Sequence, residues 1–292
     1  MTSRASWFAS PADATNRLAA QGYLADAATS TTTYLAGALE KPLLIEGPAG
    51  VGKTQLAKSV AAATGADLVR LQCYEGLDEA RALYEWNYKK QLLRIQAAGG
   101  DQSWDATHDD IFTDEFLLTR PLLTAIRRDE PTVLLIDEVD KTDVEVEGLL
   151  LEVLSDFQVT IPELGTVTAT RRPFVVLTSN ATRELSEAVK RRCLYLHIDY
   201  PDAEREREIV LGHVPGLEEK LATQVVDVVT QLRGLELKKA PSIAESIDWA
   251  HTLVALQIGN LDQAAVAQTL GAVLKHNSDH TKALAELSKR SR

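Results

Sequence analysis

A chain of 292 residues with 45% hydrophobic and 25% charged residues has the composition of a soluble globular protein, long enough for one large domain or two smaller ones. Its formal net charge of −11 argues against non-specific binding to nucleic acid or to an anionic membrane, leaving open only a local basic patch. The two cysteines, Cys73 and Cys193, sit in apolar surroundings without partners at metal-ligand spacing, so two reduced, buried thiols in a reducing compartment are expected.

The opening stretch MTSRASWFASPADATNRLAAQG lacks a long apolar core after a basic start, and no stretch of the chain approaches ~20 apolar residues. Neither a secretory signal nor a membrane span is expected, and the cytoplasm is the expected location. Residues 1–15 read as a loose leader of small polar residues. Residues 16–40 are rich in Ala and Leu, and Leu24, Ala27, Ala28, Tyr34, Leu35 and Ala38 allow one or two helices. KPLLIEGPAGVGKT (41–54) reads as a short apolar strand, a glycine loop and a helix start, with Gly65 as the helix stop. DLVRLQCYE (67–75) is the next strand. Residues 77–98 are expected to be helical, with Tyr84, Tyr88, Leu92 and Ile95 on one face, followed by a loop over 99–110.

FLLTRPLLTAIRR (116–128) reads as a helix interrupted near Pro121. TVLLID (132–137) is a near-continuous apolar run, as expected of a strand covered on both faces. A helix over 143–156, a hairpin over 157–169 and buried strands over 173–180 and 192–198 complete the pattern. Strands alternating with helices imply a parallel sheet with crossover helices, an α/β fold. After Tyr200 and Pro201 the strand signals fade and amphipathic helical segments follow. The expected division is an α/β domain over 1–200 and an all-helical domain over 201–292.

Gly47-Pro48-Ala49-Gly50-Val51-Gly52-Lys53-Thr54 fits the pattern G-x-x-x-x-G-K-[ST] in full. Glycines let backbone N–H groups converge on phosphate oxygens, and the following helix adds the positive end of its dipole. Lys53 would reach the β- and γ-phosphates and Thr54 would bind Mg²⁺. VLLIDE (133–138) places Asp137 and Glu138 at the C-terminal edge of a buried strand, where ligands bind in open α/β sheets. Asp137 can hold Mg²⁺ through water and Glu138 can act as general base on the attacking water. Asp140, Lys141 and Asp143 read as a solvated charged turn. VVLTSN (175–180) ends a third buried strand, and Asn180 could bond the γ-phosphate or the attacking water, although Asn after a strand is also a common turn former. Lys190, Arg191 and Arg192 form a basic run in an acidic chain.

Together these features resemble an AAA+ ATPase, and within that class the MoxR family, over nearly the whole chain. The resemblance rests on GPAGVGKT, LLIDEVDK, VVLTSN, EAVKRRC, an insert after LVRLQCYEG and the hairpin VTIPELGTVTA. It looks nearest to the CoxD-like branch, which serves carbon monoxide dehydrogenase maturation. What the resemblance implies is an AAA+ core with a helix-2 insert, a pre-sensor hairpin and a small helical lid. It further implies ATP and Mg²⁺ as cofactors, a homo-oligomeric ring, usually hexameric, and chaperone work on a metallo-enzyme client beside a von Willebrand A domain partner. A molybdenum hydroxylase such as carbon monoxide dehydrogenase is the client it suggests. Residue by residue, it makes Lys53 and Thr54 the nucleotide and Mg²⁺ residues, Asp137 and Glu138 the acidic strand end, Asn180 the first sensor, and the Arg191–Arg192 pair the arginine-finger site.

This chain departs from the family pattern twice. Arg191-Arg192-Cys193 stands where Asp-Arg-Phe is common, so that Arg192 matches the finger. KAPSIAES (239–246) puts Ser242 where an arginine of the second sensor is usual, with Lys238 or Lys239 as substitutes or simply solvated. The aromatic insert residues Tyr74, Tyr84, Trp86 and Tyr88 either grip a client or pack the insert on its own domain. Other readings are a Rubisco activase-like remodeller, a nucleic-acid motor, which the acidic balance disfavours, and a nucleotide-gated scaffold with little turnover.

Overall fold

A computed structural model describes residues 6–98 and 104–290. The chain falls into two compact units, Met1–Glu46 with Thr54–His197 and Gly47–Lys53 with Ile198–Arg292.

The first unit opens with helices α1 (Pro11–Ala19) and α2 (Ala27–Ala38). The stretch expected as a loose leader is therefore ordered from residue 6, while residues 1–5 lie outside the described residues. Ser10 caps α1 by accepting from the Asp13 N–H at 3.1 Å, proline occupies the first turn, and Phe8 is only 1% exposed. The small polar composition concealed a capped helix anchored by one aromatic ring.

Strand β1 (Leu43–Glu46) leads through the glycine loop into α3 (Lys53–Thr64), and β2 (Asp67–Gln72) follows. The single helix expected over 77–98 is instead three elements: α4 (Glu79–Ala82), β3 (Tyr84–Trp86) and α5 (Tyr88–Ala98). Pairing decides the break, because β3 lies antiparallel to β4 (Leu117–Thr119), which turns Trp86 into the core. Tyr88, Leu92 and Ile95 do share a face of α5, and that face is exposed. Part of the loop expected over 99–110 is helix α6 (Trp104–Ile111), and residues 99–103 lie outside the described residues. Pro121 starts helix α7 (Pro121–Arg127) rather than interrupting one, since a first-turn residue has no helical acceptor for an N–H.

β5 (Thr132–Asp137), α8 (Val144–Asp156), the hairpin β6 (Gln158–Ile161) and β7 (Gly165–Thr168), β8 (Phe174–Ser179), α9 (Glu187–Lys190) and β9 (Leu194–His197) complete this unit. Five strands form one parallel sheet in the order β2-β5-β8-β1-β9. Every residue of β5 and β8 is buried, which is why both read as near-continuous apolar runs.

The second unit is helical: α10 (Ala203–His213), α11 (Glu219–Arg233), α12 (Ile243–Ala255), α13 (Gln263–Thr269) and α14 (Asn277–Arg290). Its core gathers Val210, Val225, Val229, Leu253 and Leu270 around Trp249, whose indole donates to Thr269 Oγ1 at 2.8 Å. Glu206, fully buried on α10, accepts two bonds from Arg233 of α11 at 2.5 and 2.8 Å. The glycine loop, expected as part of the α/β domain, packs in this unit. A Cβ on Gly47 would stand 1.9 Å from the Ile198 carbonyl oxygen. Among the described residues no helix is long and apolar enough to cross a membrane.

Candidate functional site

Residues 47–53 form a tight loop that three glycines make possible. Gly47, Gly50 and Gly52 adopt φ of 154°, 76° and 97°, a range that a side chain rarely tolerates. Lys53 is buried at the start of α3, and its ammonium donates to the carbonyls of Gly47 and Pro48, both at 2.7 Å. Those bonds bring the ammonium back to the start of the loop, so its charge lies at the loop itself.

The sheet of the first unit brings the other motif residues together at one edge. β2, β5 and β8 are neighbours, with Gln72 opposite Asp137 and Leu177 opposite Ile136, so their C-terminal ends deliver side chains to one place. Asp137 is 2% exposed and its carboxylate is fully engaged. Oδ1 accepts from Thr54 Oγ1 at 2.9 Å and from Thr178 Oγ1 at 2.5 Å, while Oδ2 pairs with Arg70 at 2.5 Å. Glu138 follows in a left-handed conformation, φ 59° and ψ 48°. Its N–H donates to Thr178 Oγ1 at 2.9 Å. Its carboxylate accepts from Gln72 at 2.9 Å, from Lys141 at 2.7 Å and, at the long end of hydrogen-bond range, from Asn180 Nδ2 at 3.5 Å. Thr54, Asp137, Glu138 and Asn180 thus meet in one cluster.

Three members of this cluster were missed in the sequence. Thr178 bridges the two acidic residues, and Arg70 and Gln72 reach them from β2. The available signal was the i, i+2 spacing of Arg70 and Gln72 about the buried Leu71 in a strand next to the acidic one. Asp140, read as part of a solvated turn, is buried and accepts from Thr182 N at 3.0 Å and Oγ1 at 2.6 Å. Burial alone would raise its pKa, but the Thr182 bonds together with backbone hydrogen bonds from Asn180 and from Asp140 itself outweigh it and hold the carboxyl below its usual value. Cys73 lies just beyond β2, and burial, with the charges of Asp137, Asp140 and Glu138 adding to it, pushes its thiol up to about 12. Cys193 is also pushed up to about 12 by burial, against the opposing charge of Arg192. Both cysteines are free.

The basic run does not join the cluster as a unit. Lys190 pairs with Glu184 at 2.8 Å. Arg192 turns inward, donating to Ser155 Oγ of α8 and to the Ala188 carbonyl of α9 at 2.9 Å. Arg191 is the exposed member. In the second unit, Ser242 caps α12 and faces Gly50.

The donors present suit a magnesium nucleotide. Among the described residues there is no group of three or more His, Cys, Asp and Glu able to hold a metal ion. The Thr54 hydroxyl beside the Asp137 carboxylate is instead a sparse, hard oxygen set. Mg²⁺ accepts such a set because it keeps several waters and takes phosphate oxygens for the rest.

Residues 42–193 match the family described as AAA domain (dynein-related subfamily). Protein NorQ of Paracoccus denitrificans is 26% identical over 243 residues, covering 80% of this chain and 80% of that protein. An uncharacterized protein of Staphylococcus haemolyticus is 25% identical over 232 residues, covering 75% of this chain and 81% of that one. Among solved structures, a RuvB point mutant of Thermotoga maritima has a TM-score of 0.49 at 16% identity, covering 90% of this chain and 70% of that chain.

Proposed function

The chain belongs to the AAA domain family, in its dynein-related subfamily, and on that premise we propose that it is a Mg²⁺-dependent ATP hydrolase that assembles into a ring and remodels a client protein. The observation that carries the reading is the cluster of Thr54, Asp137, Glu138 and Asn180 at one sheet edge. Residues 47–53, with the Lys53 ammonium, would hold the phosphates, and Thr54 with Asp137 would hold Mg²⁺. When bound, ATP supplies the phosphoanhydride bond to be hydrolysed and Mg²⁺ neutralises charge on its phosphates.

The protein's own part is to position and deprotonate water. Glu138 takes the proton, with its carboxylate aimed by Gln72 and Lys141 and its backbone anchored on Thr178. Asn180 stands beside that carboxylate and orients the same water. The exposed Arg191 supplies positive charge to the site of a neighbouring copy, where exclusion of water at the interface strengthens its effect.

The likeness to the MoxR family supports a ring of identical subunits, a von Willebrand A domain partner, a metallo-enzyme client such as a molybdenum hydroxylase, and a cytoplasmic location. Glu138→Gln tests the hydrolytic core. The variant is expected to bind ATP as tightly as the unaltered protein and to release phosphate at least ~100-fold more slowly. Phosphate release at the original rate would refute the assignment of Glu138 as base.

A further inference from the structure

Within the second unit the glycine loop meets the start of α12 at Gly50, and the contact is close. Gly50 has no Cβ, and one built there would lie 2.3 Å from both Cβ and Oγ of Ser242. The serine side chain therefore fills the space that any other residue at position 50 would claim. Ser242 is itself buried and held on several sides. As N-cap of α12 it forms a reciprocal capping box with Glu245, whose carboxylate accepts from Ser242 N at 2.9 Å and from Ser242 Oγ. Lys239 donates to the other oxygen of Glu245 at 3.1 Å.

Behind the cap lies an ionic network. Ser246 Oγ lies 3.2 Å from the Ser242 carbonyl and 2.7 Å from Glu206 Oε1, within hydrogen-bonding distance of both. Glu206 pairs with Arg233, and Arg233 Nε donates to the Pro241 carbonyl at 2.7 Å, immediately before Ser242. Tyr200 closes the assembly, with the Arg233 guanidinium 4.5 Å from its ring centroid. Buried ion pairs of this kind add little net stability but hold their partners in one arrangement. Here the thing held is the turn that presents Ser242 to Gly50.

We propose that Ser242 is a positioning residue for the phosphate loop. Its side chain buttresses Gly50 and keeps residues 49–51 in the curvature that their backbone N–H groups need to meet phosphate oxygens. The Glu206–Arg233–Ser246 network sets the position of that buttress. Coupling between α12 and a nucleoside di- or triphosphate in the loop then runs through packing rather than through a charged side chain. This deepens the nucleotide reading given above and rests on it.

The test uses the full chain and three proteins: unaltered, Ser242→Gly and Ser242→Ala. Glycine is nearly as good an N-cap as serine, whereas alanine is a poor one. Alanine keeps the Cβ against Gly50, whereas glycine removes it. Affinity and stability should therefore rank the variants in opposite orders. In titrations with a fluorescent ADP analogue, Ser242→Gly is expected to bind about tenfold more weakly and Ser242→Ala within about twofold of the unaltered protein. In urea unfolding without nucleotide, Ser242→Ala should lose more stability than Ser242→Gly. Unchanged ADP affinity in Ser242→Gly, or affinity falling in the same order as stability, overturns the proposal while leaving the ATPase reading intact. Failure of the unaltered protein to bind ADP or ATP overturns both.

Discussion

Arg191 and Arg192 are adjacent in sequence and opposite in fate. Arg192 matches the position of a finger by resemblance, yet its guanidinium is bound within its own subunit by Ser155 and the Ala188 carbonyl. Arg191 extends into solvent from the end of α9. Arg191→Ala is therefore expected to keep nucleotide affinity and lose ~10³-fold or more in turnover. Arg192→Ala should instead destabilise the fold by about 1–2 kcal/mol, the worth of its two hydrogen bonds. Phosphate release and urea midpoints measured on both variants decide the matter, and a stable, inactive Arg192→Ala beside a fully active Arg191→Ala would reverse the roles. At this scale the sequence showed motif residues well. The loop, Asp137, Glu138 and Asn180 announce themselves by order and residue type. Thr178, Arg70 and the burial of Asp140 did not, because their partners lie 41, 67 and 42 residues away, and the i, i+2 spacing of Arg70 and Gln72 marks a face of β2 without naming what it meets.

Elements were legible where burial was two-sided and continuous. β5 and β8 carry apolar runs, broken only toward their ends, because nothing polar can face out of the middle of a covered sheet. β3 and β4 are three residues each and owe their existence to each other, so helical periodicity over 77–98 was the stronger local signal; it holds for α4 and α5 and fails at β3. Helix α1 was hidden for a different reason: its anchor precedes it. Phe8 is buried and carries the Arg17 guanidinium 5.1 Å from its ring centroid, while Trp7 meets Phe174 of β8 edge-on at 5.4 Å. Phe8→Ala should consequently lower the free energy of unfolding by about 3–5 kcal/mol, as for other buried aromatic deletions. A change within about 0.5 kcal/mol in urea unfolding would restore the loose leader.

For the whole molecule, the proposed action of Arg191 on a neighbour's site would make turnover a property of the assembly. Turnover per chain should rise with protein concentration and collapse on dilution below the assembly threshold, while nucleotide affinity stays flat. Turnover independent of concentration across a range in which light scattering shows dissociation would contradict action in trans. The division into units has a further consequence for anyone who wishes to cut this protein apart. The backbone passes from one unit to the other at 46–47, 53–54 and 197–198, so no single scission separates them. A fragment beginning at residue 198 would shed residues 47–53 and leave the Ile198 carbonyl and the Ser242 side chain without the two glycines that cover them. The helical part is, in effect, a discontinuous body, recoverable only if that short segment is spliced back ahead of it.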